Sequence, residues 1–181
     1  MTEGRQFKNI ALVGFMGTGK STVGQMVAGM LRFRFIDTDE MVEGMANKKI
    51  ADIFVSDGEA RFREYEKQAV QRLAQLSNTV ISTGGGLVMN PENFASLKEH
   101  ALVVCLWCSA ETILRRVGHQ THRPLLRVEN PLERIRALLE ERAPVYRQAD
   151  VLLNSEFRKP REVATHVAHQ FRSVGGGAKK D

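Results

Sequence analysis

Apolar and polar positions follow two rhythms along this chain. Short segments rich in apolar residues at 9–13, 32–36, 79–83, 101–108 and 149–153 predict strands, and the first, Asn9–Val13, reads as a buried one. Between them, apolar residues return at helical spacing. Val23, Met26, Val27 and Met30 mark a helix over 21–31, and Phe62, Tyr65, Ala69, Val70 and Leu73 mark one over about 60–76. Leu132, Ile135, Leu138 and Leu139 give a helix over 131–142, broken by Ala143-Pro144-Val145-Tyr146. Residues 50–54 predict a short helical turn, and 109–117 and 160–174 predict further helices. Asn90-Pro91 predicts another helix start, with Asn90 as cap and Pro91 in the first turn. Strands alternating with helices predict an α/β fold, a sandwich of helices around a mostly parallel sheet.

The links between these elements carry the chemistry. Gly14-Phe15-Met16-Gly17-Thr18-Gly19-Lys20-Ser21 matches the phosphate-binding spacing G-x-x-x-x-G-K-[ST], with a strand before it and a helix after it. Its glycines let successive backbone N–H groups turn toward an anion, and the helix start adds more. Lys20 can reach the β- and γ-phosphates of a nucleotide, and the Ser21 hydroxyl can ligate Mg²⁺. The second strand runs into Asp37-Thr38-Asp39, at the strand end where an open α/β sheet places its ligand. One of the two carboxylates can hold Mg²⁺ through water, and the other can accept a hydroxyl proton. Gly84-Gly85-Gly86, after the third strand, suits a close approach of ligand to backbone.

The basic segment 119–127 contains His119, His122, Arg123 and Pro124 and lies between two helices, which predicts a mobile lid at about 118–130. No carboxylate or thiol is spaced to complete a metal site with its histidines. Residues 175–181 are without large apolar side chains and predict a disordered tail after a single domain over 1–174.

Composition adds limits. A length of 181 residues suits one well-packed domain. The net charge of +5 comes from 26 basic and 21 acidic residues, and the basic ones form no long block. That favours an anionic small substrate over specific nucleic-acid binding. With no apolar run long enough for a bilayer or a signal peptide, the expected location is the cytoplasm, away from membranes. Cys105 and Cys108 lie together in the fourth apolar run. A strand would send them to opposite faces, as packing residues.

Taken as an ordered set, these motifs resemble the shikimate kinase family from residue 9 to about residue 174. The set comprises residues 14–22, the Asp37–Asp39 triplet, Ala51-Asp52-Ile53-Phe54, and Gly58-Glu59 leading to Phe62-Arg63 and Glu66. It continues with the three glycines, Arg123-Pro124-Leu125-Leu126 and Arg142-Ala143-Pro144-Val145-Tyr146. The resemblance implies a P-loop, nucleoside monophosphate kinase-like fold: a three-layer sandwich with a five-stranded parallel sheet in the order 2-3-1-4-5. It implies transfer of the ATP γ-phosphoryl group to the 3-hydroxyl of shikimate, in aromatic amino-acid biosynthesis, by an expected monomer. It also implies that Gly17, Thr18, Gly19, Lys20, Ser21 and Thr22 hold the ATP phosphates. Ser21 ligates Mg²⁺, and Asp37 assists through water. Asp39 binds the shikimate hydroxyls and takes the proton, with Lys20, Asp39 and Arg123 as the catalytic set. Arg63 and Arg142 hold the shikimate carboxylate beside Gly84, Gly85 and Gly86, while Arg116, Arg123 and Arg158 serve ATP.

Overall fold

The computed structural model describes residues 5–118 and 128–175. A parallel five-stranded sheet, in the order β2-β3-β1-β4-β5, forms its middle layer. The strands are β1 (Asn9–Val13), β2 (Arg34–Asp37), β3 (Thr79–Ser82), β4 (Ala101–Trp107) and β5 (Val151–Asn154). Central β1 pairs with β3 on one side and β4 on the other. All five of its residues are buried, because helices cover both sheet faces.

Alternation along β1 and β4 divides the core. Ile10, Leu12, Leu102, Val104 and Leu106 pack with Val23, Val27, Val163 and Val167 from α1 (Lys20–Leu31) and α8 (Pro160–Ser173). Ala11, Val13, Val103 and Cys105 face the opposite layer. That layer contains α4 (Gly58–Leu73), α5 (Pro91–His100), α6 (Ala110–Val117) and α7 (Pro131–Tyr146). A smaller apolar cluster of Val42, Ile53, Phe62 and Ala69 binds α2 (Thr38–Ala46) and α3 (Ile50–Ser56) to α4.

Several boundaries differ from the sequence expectation. Arg32 takes a left-handed conformation, φ 57°, and closes α1 with its N–H on Ala28 and Gly29 carbonyls, so β2 begins only at Arg34. Helix α7 does not break at residue 143 but continues through Pro144 to Tyr146. A proline this close to a helix end forfeits only one hydrogen bond, and Arg147 N still reaches Ala143 O at 3.0 Å. The strand rule fails for the two thiols: β4 stops at Trp107, and Cys108 turns back into the same apolar cluster as Cys105. Asn90 caps α5 as expected, accepting from the N–H groups of Glu92 and Asn93.

The topology gathers the functional loops. β1 feeds the glycine loop, β2 ends on Asp37, and β3 leads through Ser82 into Thr83 and Gly84. Asp37 is in register with Ser82, and Ser82 with Leu12. Three carboxyl ends of neighbouring strands therefore open into one space, as open α/β sheets arrange their ligand clefts.

Candidate active site

Helix α1 starts without a side-chain cap. Its N-cap, Gly19, has φ 95°, a conformation that favours glycine and leaves the first N–H groups of the helix to an incoming anion. Thr18 is buried and its hydroxyl donates to Phe15 O at 2.8 Å, holding the loop's curl. Lys20 is 9% exposed, and its ammonium donates to the same carbonyl at 2.8 Å. A cavity of about 330 Å³ lies over this loop, walled by Gly17, Gly19, Lys20, Ser21 and Thr22. Asp37, Asp39, Gly84 and Gly85 form its other side. The structure thus brings the expected phosphate loop, carboxylates and glycine turn into a single space.

Within that space the two aspartates divide their roles. Asp37 is tied down: Oδ1 accepts from Asp39 N at 3.0 Å as the cap of α2, and Oδ2 accepts from the Ser21 hydroxyl at 2.9 Å. Ser82 Oγ lies 3.2 Å from Ser21 Oγ. Asp37, Ser21 and Ser82 offer only hard oxygen donors, which suits Mg²⁺ with most of its shell left to water and phosphate. Among the described residues no cluster of three His, Cys, Asp or Glu side chains forms a closed metal cage. Asp39 is exposed to the cavity, with its carboxylate against Gly84, where any Cβ would collide with Oδ1. Gly84 N donates to Thr38 Oγ1 at 2.8 Å, fixing that approach.

The two arginines converge on the same turn from different helices. Arg142 of α7 donates through Nη1 to Gly85 O at 3.1 Å, and its guanidinium sits 5.3 Å above the Phe15 ring. Its Nε is buried with no partner among the described residues, a donor position that an anion can fill. Arg63 of α4 lies against Gly86: a Cβ there would meet its Nη1 at 3.1 Å. Arg63 also donates to Glu66 at 2.8 Å and to Glu59 at 2.9 Å. Glu66 is 3% exposed, and burial pushes its carboxyl above the usual value, with the Arg63 charge pulling the other way. Burial also opposes the Arg63 charge, but its two carboxylate partners outweigh that and raise it.

The nucleotide side holds one surprise. Arg116 does not project as a loose flank: Nη1 donates to Gly17 O at 3.1 Å and Nη2 to Ser155 O at 2.8 Å. Ser155 in turn donates to Thr18 O at 2.9 Å. Arg116 and Ser155 therefore stitch the phosphate loop to the segment after β5. Glu156 accepts from Ser109 Oγ at 2.6 Å and Thr112 Oγ1 at 2.7 Å at the start of α6. Arg158 is exposed on this segment. Arg123 and the other residues of 119–127 lie outside the described residues, as do 176–181.

Four contributors had no assigned role in the sequence. Glu59 and Glu66 sit one helical turn either side of Arg63, a spacing that signals pairing but not purpose. Tyr146 donates to Gly85 O at 2.9 Å and Ser155 to the phosphate loop; both contacts join distant positions and leave no local signal.

Known proteins resemble this chain in sequence and fold. The family model described as "Shikimate kinase" matches residues 16–172. Shikimate kinase from Thermoanaerobacter pseudethanolicus is 51% identical over 164 residues, covering 91% of this chain and 96% of its own. The shikimate kinase of Caldanaerobacter subterraneus subsp. tengcongensis is 48% identical over 169 residues, covering 93% and 99%. The solved structure of shikimate kinase from Acinetobacter baumannii in complex with shikimate superposes with a TM-score of 0.87. It is 36% identical and covers 93% of this chain and 94% of that one. With the family model matching residues 16–172 and these relatives covering nearly its whole length, the chain belongs to the shikimate kinase family.

Proposed function

We infer that the site works as a two-sided clamp for phosphoryl transfer from ATP to the 3-hydroxyl of shikimate. The activity itself, ATP-dependent shikimate kinase, follows from family membership. The observation that carries the residue assignment is the convergence of Arg63 and Arg142 on Gly84–Gly86 beside Asp39, opposite the phosphate loop. Gly17 to Thr22 hold the ATP phosphates, with Lys20 as the cation on the transferring group. Arg63 and the two-pronged Arg142 hold the shikimate carboxylate, for which a planar guanidinium is the better match. Asp39 orients the acceptor hydroxyl and takes its proton. Such a reaction needs alignment and charge stabilisation more than covalent help from the protein.

Ser21 and Asp37 are the residues that would hold Mg²⁺, Asp37 through water. Bound there, the ion neutralises phosphate charge. Arg116 and Arg158 flank the nucleotide, Arg116 by fixing the phosphate loop to the segment after β5. Arg123 and the lid over about 118–130 remain sequence assignments, as does the single domain over 1–174. We place the enzyme as a cytoplasmic monomer acting on small molecules. Among the described residues no helix is long and apolar enough to cross a membrane.

Mixing the protein with ATP, Mg²⁺ and shikimate and weighing the products by mass spectrometry tests this directly. The expected result is ADP and a singly phosphorylated shikimate in equal amounts. ADP with inorganic phosphate and unchanged shikimate would overturn it.

A further inference from the structure

Helix α7 and the outer strand β5 leave a cavity of about 600 Å³ between them, none of whose described lining residues lines the phosphate-loop cavity. Its origin is the sheet edge. β5 pairs only with β4, and Leu153 packs into the α1–α8 layer. Leu152, on the opposite face, is left 48% exposed. On the helix side Leu139 and the small Ala143 do not reach far enough to cover it. Trp107, the last residue of β4, is 46% exposed at the same cavity, and Tyr146 forms part of the wall.

The chemistry of the walls narrows the occupant. Two aromatic rings and two aliphatic side chains offer an apolar slot suited to a flat ligand. The thiols of Cys105 and Cys108 also line it, and burial pushes both up, Cys105 to about 12, so they add no charge. Among the described residues Arg147 is the one charged residue of the lining, at the exposed end of α7. Its side chain has no hydrogen bond or ion pair among the described residues. A slot that is apolar within and cationic at one point selects a carboxylate on an apolar body and disfavours a cation.

We propose that this cavity binds a small, flat, apolar carboxylic acid, its ring between α7 and β5 and its carboxylate on Arg147. The site is coupled to the acceptor pocket through Tyr146. That ring forms the cavity wall, while its hydroxyl donates to Gly85 O at 2.9 Å, the oxygen that also accepts from Arg142 Nη1 at 3.1 Å. An acid that displaces the ring disturbs both Gly85 and Arg142, so the two ligands weaken each other. The coupling rests on the acceptor-pocket assignment above, whereas binding to the cavity does not.

Trp107 is the sole tryptophan of the chain and reports on its own cavity. Titrating 4-biphenylacetate into the whole protein without substrates should change its emission saturably. Arg147→Gln should raise the dissociation constant about tenfold, the loss of one charge-assisted contact. Leu152→Asn should weaken binding comparably, and neither variant should alter turnover without the probe. With wild type, the KM for shikimate should rise and then level off as the probe saturates. A rise without limit would mean simple competition in the acceptor pocket and would overturn the site. So would an unchanged emission, equal binding to Arg147→Gln, or equal binding of the neutral 4-biphenylmethanol. Phosphorylation of shikimate by the probe-free enzyme is measured alongside, so a failure of the acceptor assignment is seen separately.

Discussion

At Arg63 a single guanidinium serves two carboxylates of unequal character. Glu66 is buried at 3% exposure and holds the arginine in place, while Glu59, with a side chain 66% exposed, occupies donors that face solvent. An exposed ion pair contributes about 0–1 kcal/mol, so on the proposed assignment of Arg63 a substrate carboxylate displaces Glu59 cheaply. Glu59→Gln should therefore leave kcat unchanged and lower the KM for shikimate modestly, in steady-state assays. Among the described residues Arg142 has no such competitor, and its buried Nε has no hydrogen-bond partner. Arg142→Ala should cost about 2–5 kcal/mol of binding, read as a shikimate KM raised at least about thirtyfold. Glu66 carries a pH signature as well. Because burial raises its carboxyl, the folded chain holds this proton more tightly than the unfolded one. The stability it contributes is present below the ordinary carboxylate range and lost as pH rises through the raised value. The melting temperature of Glu66→Gln, relative to wild type, should accordingly climb as pH is taken from about 4 to about 7. A flat or falling difference would contradict it.

Among the elements, α7 does the most varied work. One side packs Ile135 and Leu138 into the core, another delivers Arg142 and Tyr146 to Gly85, and a third lines the edge cavity. Its continuation past Pro144 is what places Tyr146 on Gly85; a break at residue 143 would have dropped the ring from the helix. The proline rule argued for that break from local geometry, and tertiary packing of Tyr146, 7% exposed, overrode it. β4 shows the reverse limit. Its apolar run continues to Cys108, but the strand ends one residue earlier, so period-two alternation misassigned the second thiol. Both thiols are buried and protonated in the native chain, Cys105 up to about 12. Iodoacetamide at pH 8 should label neither at an appreciable rate until denaturant is added, as followed by mass. Rapid native labelling would show that the layer over β4 opens readily.

For the whole molecule, what could be read in advance tracks sequence distance. Strand, loop and helix around Lys20 and Ser21 are contiguous, and their spacing alone marked the loop that walls the cavity. Asp37 was legible because β2 ends on it, although its capping of α2 needed the backbone geometry. Asp39 and the glycine turn were marked by their strand ends, but the roles of Arg63 and Arg142 came only through the ordered resemblance: α4, the β3 glycine turn and α7 meet across long stretches of chain, and no local rhythm announces their meeting. The ties of Arg116, Ser155 and Tyr146 to backbone carbonyls were not legible, since a carbonyl acceptor leaves no mark in the sequence. The result is a molecule in which the carboxyl ends of three neighbouring strands open beside a glycine loop, and two flanking helices bring arginines to the glycine turn opposite, the proposed nucleotide cradle and acid seat. That pairing is tested most directly by comparing shikimate with its uncharged methyl ester as phosphoryl acceptors, in wild type and in Arg142→Ala. The account predicts that wild type discriminates against the ester by about a hundredfold or more in kcat/KM. The variant should lose most of that discrimination. Equal use of acid and ester by wild type, or undiminished discrimination in the variant, would contradict it.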